Sequence, residues 1–214
     1  IKNNLTNLSV EKIKHINYFQ GKLNNVDCVV ALCGPGKVNS AICTQIMILK
    51  YNVKAILNIG LAGGISSSLK IGDIVIAKDV VQHDVDTSAV GDEKGFISGL
   101  NLINIPCSKY LNDKISKTAK DLGLEPYYGT VASGDQFIKS KSKLLKIQND
   151  FNACACEMEA GSVGQVCSIN DVQFSVLKTI SDMADENSDI DYEKFKNIVV
   201  KKNTELLLKL MQNI

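Results

Sequence analysis

The chain has 214 residues, 45% hydrophobic and 22% charged, the balance of a soluble globular protein with a sizeable core. A net charge of +1 leaves no electrostatic footprint for a nucleic-acid partner, and no apolar run approaches the roughly 20 residues that cross a bilayer. There is no Arg, so no guanidinium fork is available to clamp a phosphate.

Residues 1–25 are polar with weak alternation and read as edge strands, with a turn at Asn24-Asn25. Val26–Cys33 is a continuous apolar run of strand length, broken by Gly34-Pro35-Gly36. Lys37–Tyr51 carries apolar residues at helical spacing. Lys54–Ile59 is a second strand, ended by the glycine-dense Gly60–Gly64, and Ile74–Val81 a third, followed by a long polar loop from His83 to Gly99. Tyr110–Leu122 reads as a helix stopped by Gly123. Thr130–Ser133 is a short strand entering Gly134-Asp135, and Ser140–Ile147 a short helix. Ala153–Cys156 is a strand leading into Glu157-Met158-Glu159 and a helix through Cys167. Phe174–Ile180 is a buried strand that delivers Ser181 and Asp182 into a polar turn, and Asp191–Ile214 is a long amphipathic helix.

Alternating strands and helices predict an α/β chain, residues 1–214 as a single domain, with a mixed, mostly parallel central sheet flanked by helices on both faces. Parallel strands would then place Gly60–Gly64, Gly134-Asp135, Glu157–Glu159 and Asp182 on one sheet edge, the place where open α/β proteins put a pocket.

Each loop admits a chemical and a plain reading. Asp182 is a proton donor whose pKa burial beside Ile180 and Met183 would raise, or a cap of the following helix. Glu157 and Glu159 could hold the vicinal diol of a ribose, or complement a helix dipole. Phe137 could stack on a flat base or sit in the core. Gly34-x-Gly36-Lys37 lacks the spacing of a phosphate loop and reads as a tight strand-to-helix turn.

Seven cysteines, an odd number scattered through apolar segments, predict free thiols in a reducing compartment and so a cytoplasmic protein. Cys154-x-Cys156 is not a metal spacing, and neither His15 nor His83 completes a cluster with it, so no metal is expected.

Ala62-Gly63-Gly64 with Leu69–Val75, His83-Asp84-x-Asp86, Ser133-Gly134-Asp135-x-Phe137-Ile138, Glu157-Met158-Glu159-Ala160 and Ile180-Ser181-Asp182-x-Ala184-Asp185 resemble, in that order, the 5′-methylthioadenosine/S-adenosylhomocysteine nucleosidases of the purine nucleoside phosphorylase superfamily. The resemblance runs from about Cys33 to the C-terminus. It implies hydrolysis of the N-glycosidic bond of 5′-thio-substituted adenosines, with 5′-deoxyadenosine a further candidate, in methionine salvage. No metal or organic cofactor is implied.

By the same resemblance Asp182 matches the acid that protonates adenine N7, and Ser181 the residue that positions it. Phe137 matches the aromatic stacked on adenine, and Ile138 the residue whose backbone meets its edge. Glu159 holds the ribose hydroxyls, Met158 lies under the sugar, and Tyr192 sits near the ribose and 5′ substituent. The resemblance also implies a homodimer, in which the loop carrying Thr87 and Val90 reaches the partner's pocket. Three departures are visible. The family's water-activating Glu belongs to an N-terminal strand that this sequence, starting at Ile1, is expected to lack. A Ser before Ala62-Gly63 is Leu61, and an Arg near the water is Lys178.

Two other classes remain open at this stage. One is a nucleoside phosphorylase, which would have to hold phosphate without Arg. The other is a non-catalytic nucleoside binder, or a polyanion binder using Lys194, Lys196, Lys201, Lys202 and Lys209.

Overall fold

The computed structural model describes residues 1–185 and 188–213, without the side chains of 190 and 196, so the expected helix end at Ile214 and the Lys196 side chain lie outside the described residues. The chain opens with a three-stranded antiparallel sheet of β1 (Thr6–Ile13), β2 (Ile16–Leu23) and β3 (Val26–Ala31). Asn24 and Asn25 both adopt positive φ (49° and 68°), and this two-residue turn pairs Leu23 with Val26. The buried face of β2, Ile16 and Tyr18, packs on helix α1 (Lys37–Tyr51) around Cys43.

The second sheet contains β4 (Ala55–Gly64), β5 (Ile74–Gln82), β6 (Ile105–Pro106), β7 (Tyr127–Ser133), β8 (Ala153–Glu157) and β9 (Gln173–Asp182). It is not the open sheet that the sequence pattern suggests. β5 pairs in parallel with β7 and β7 with β8; β8 meets β4 antiparallel, β4 runs parallel to β9, and β9 returns antiparallel to β5. Five strands thus close into a barrel-like ring, with β6 attached outside on β5. A closed ring has an interior and an exterior, so "helices on both faces" does not describe it. The long apolar strands are sealed by helices packed around the outside. Met47 and Ile48 of α1, with Val163 and Cys167 of α4 (Ala160–Ile169), join one part of the core. Ile115 and Ala119 of α2 (Lys109–Asp121), with Leu206, Leu207 and Leu210 of α5 (Ser188–Leu210), join another. Ile147 of α3 (Lys141–Phe151) completes a third.

Gly60–Gly64, expected to end this strand, is instead the last half of β4. Its glycines serve close approach rather than chain reversal. A Cβ on Gly60 would stand 3.1 Å from Lys178 Nζ, and one on Gly63 2.9 Å from Asp182 Oδ1. The carboxyl ends of β4 and β8 converge from opposite directions, Gly63 against Cys156 and Gly64 against Ala155. The strand-end loops therefore meet although the strands are not all parallel.

Candidate active site

β9 pairs with β4 in regular parallel register up to Ile180 opposite Ala62, and then Asp182 stands opposite Gly63. Ser181 is the extra residue of a β-bulge, a device that bends a strand end and re-aims its side chains. Ser181 Oγ donates to Asp182 Oδ2 at 2.8 Å and approaches the Ala62 carbonyl at 3.4 Å, while the Ala184 N–H donates to Asp182 Oδ1 at 2.9 Å. Asp182 is 3% exposed. Burial pushes its carboxyl above the usual range, in spite of those two donors.

Asp182 lines a cleft of about 530 Å³, a volume typical of small-molecule sites. The same cleft brings together Ala62, Gly63, Ser181, Lys178, Glu157, Met158, Glu159, Phe137, Ile138 and Tyr192. Phe137, half exposed, meets Tyr192 edge-on with ring centroids 5.9 Å apart, so the two rings frame one wall. Ile138 is buried beside them. Thr87 and Val90 are not part of this wall. Thr87 precedes and Val90 ends a short 3-10 turn, Ser88–Val90, where Thr87 Oγ1 donates to Asp92 at 2.7 Å and Val90 is 80% exposed.

The two glutamates differ sharply. Glu157, at the end of β8, receives the N–H groups of Glu159 and Ala160, the Ser133 hydroxyl and, at 2.7 Å, the Lys178 ammonium. Burial opposes its ionised form, but Lys178 and these donors hold its carboxyl below the usual range. Protein donors thus occupy both oxygens, and Glu157 supports the start of α4. Glu159 stands at the cleft with one oxygen held by the Gly36 N–H at 3.0 Å and the other 3.9 Å from Lys178 Nζ. Burial and then the neighbouring Glu157 charge raise its carboxyl, Lys178 acting in the opposite sense.

Sequence reasoning did not anticipate that Cys33, Gly34 and Pro35 line the cleft or that Gly36 holds Glu159. It also left Asn58 and Cys156 out of the wall. The sharp Gly-x-Gly break after an apolar strand was the available signal for the first of these. Among the described residues no cluster of His, Cys, Asp and Glu could hold a metal ion.

A model of the phosphorylase superfamily matches residues 1–212. This chain belongs to the phosphorylase superfamily. Its relatives in that superfamily include the aminodeoxyfutalosine nucleosidase of Campylobacter jejuni, 37% identical over 205 residues that cover 95% of this chain and 89% of that one. They also include the 5′-methylthioadenosine/S-adenosylhomocysteine nucleosidase of Staphylococcus haemolyticus, 35% identical over 99% of this chain and 93% of that one. The superfamily fold superposes, with a TM-score of 0.96 and 27% identity, on the Neisseria meningitidis 5′-methylthioadenosine/S-adenosylhomocysteine nucleosidase in complex with methylthio-immucillin-A, covering 100% of this chain and 93% of that one. The nucleosidase resemblance read from the sequence motifs therefore holds.

Proposed function

We propose that this chain is an N-glycosyl hydrolase that cleaves 5′-methylthioadenosine and S-adenosylhomocysteine into adenine and the 5′-thio-substituted ribose. The observation that carries this reading is Asp182, a buried carboxyl raised by its surroundings that lines the same cleft as Phe137. Such a group holds its proton to higher pH than a free carboxyl and can give it to N7 of a stacked adenine, so that the base leaves neutral. As the C1′–N9 bond breaks, positive charge develops on the sugar, and Glu159 is placed to bind the ribose hydroxyls and stabilise that charge. A water oxygen then bonds to C1′ and sheds one proton to solvent, and Asp182 regains one from solvent, which closes the cycle. Ser181 orients Asp182, Met158 packs under the sugar, and Tyr192 closes the wall beside Phe137.

Hydrolysis is favoured over phosphorolysis by the charge of the cleft. Among the described residues its only cation is Lys178, and Glu157 neutralises it at 2.7 Å, with Glu159 next at 3.9 Å. No positive charge is left over for a phosphate beside the sugar. Analysis of the sugar product tests this: free 5-methylthioribose formed at a rate indifferent to added phosphate is expected, and a phosphate-dependent sugar 1-phosphate would reverse the reading. The Campylobacter relative is named for aminodeoxyfutalosine, so the three nucleosides belong in one assay, with 5′-deoxyadenosine as a fourth.

The chain is further read as one half of a homodimer, with the Thr87–Val90 segment reaching the partner's cleft. The 80% exposure of Val90 leaves this segment open to such a contact. Seven free cysteines support a reducing, cytoplasmic setting. Among the described residues no helix is long and apolar enough to cross a membrane.

A further inference from the structure

Gly36 caps α1 with φ 96° and ψ 159°, a backbone that glycine alone adopts without strain, and a Cβ there would stand 3.0 Å from Asp135 Oδ1. No side chain within the loop caps this helix. Its first N–H groups are instead taken by two distant carboxylates: Gly36 N–H donates to Glu159 Oε1 at 3.0 Å and Lys37 N–H to Asp135 Oδ1 at 2.7 Å. Lys37 Nζ then reaches Asp84 Oδ1 at 2.6 Å, and the second Asp84 oxygen accepts the Asp135 N–H at 2.9 Å. The Lys37 and Asp84 side chains are only 18% and 17% exposed. Four strand-end segments are thus joined around one ion pair, and the chain of contacts ends on Glu159 Oε1, while Oε2 is the oxygen 3.9 Å from Lys178.

We propose that Lys37 is a positioning residue for ribose recognition: its ion pair with Asp84 locks the Gly34–Lys37 loop so that the Gly36 N–H fixes one Glu159 oxygen and leaves the other for the sugar hydroxyls. A carboxylate free to rotate would bind the hydroxyls in several poses; one held in a single pose binds them in the reactive one. This inference rests on the reading of Glu159 as the ribose carboxylate.

The test compares kcat/KM for 5′-methylthioadenosine with that for its 2′-deoxy and 3′-deoxy analogues. Glu159→Gln serves as the control and narrows the preference for the ribonucleoside. Lys37→Met is expected to narrow it about tenfold, the effect of one hydrogen bond to a charged group. Lys37→Arg restores most of the preference, and Lys37→Met adds nothing further in the Glu159→Gln background. A merely structural role would lower activity on all three nucleosides equally and leave their ratios unchanged. That result, with the control behaving as stated, overturns the proposal. Should Lys37→Met fail to fold, Asp84→Asn breaks the same pair from the other side, and an unchanged ratio there is equally decisive. If Glu159→Gln itself leaves the ratios unchanged, the ribose assignment falls, and the role of Lys37 with it.

Discussion

Lys178 Nζ lies 2.7 Å from Glu157 Oε2 with both side chains at most 2% exposed, so each charge depends on the other. Removing one partner of such a pair strands the other without water. Lys178→Met should therefore lose about 3–5 kcal/mol of stability in urea unfolding, and Lys178→Met combined with Glu157→Gln should recover part of that loss. A single variant within about 1 kcal/mol of the parent, the size of an ordinary exposed pair, would show that the pair is solvated.

Gly63 lies opposite Asp182, and a Cβ there would come 2.9 Å from its Oδ1 and 3.1 Å from the Ala184 side chain. Both neighbours are buried, so the carboxylate has to move. Gly63→Ala is expected to cost about 1–3 kcal/mol of stability, as overpacking does. It should lower kcat/KM more than tenfold. Native activity would mean that the Asp182 position is not critical.

The order of strands and helices was legible because the periods are clear: β3, β5, β8 and β9 are apolar runs, and α2 carries a helical stripe bounded by Ser108 and Gly123. Ring closure was not legible. It depends on Ile74–Ile76 meeting Leu177–Thr179 and on Gly63-Gly64 meeting Ala155-Cys156, pairings between residues far apart that leave no local mark. The same is true of the site. Asp182 announced itself as an acid ending a buried strand, but the division of labour between Glu157 and Glu159 lies in which donors surround each. The Gly34–Lys37 loop looked like a plain turn because its partners, Asp84, Asp135 and Glu159, are 47 to 123 residues away.

Asp182 also has a signature in stability. Its folded pKa is raised by burial, so the folded state favours the protonated form. That contribution is fully present below the unfolded value of about 3.9 and is lost as pH rises through the folded pKa. Above it the protein carries a buried carboxylate at a cost. Asp182→Asn should therefore raise the Tm at alkaline pH, and the gain should shrink as the solution is acidified. A gain that grows on acidification would mean that the carboxyl is depressed instead.

Phe137 is half exposed and contributes little to the core. Phe137→Ala is expected to change stability by less than about 1 kcal/mol while weakening adenine binding by about 1–3 kcal/mol, the range for a base stacked on an aromatic ring. Calorimetric titration with adenine reads this directly, and an unchanged Kd would remove Phe137 from the base site.

The most direct test of the account is adenine release from 5′-methylthioadenosine in phosphate-free buffer by the parent protein and by Asp182→Asn. The account predicts sustained release by the parent and a rate about 10²–10⁴ lower in the variant, which still binds the nucleoside. Release by the variant at a near-parental rate, or release by the parent only after phosphate is added, would contradict it.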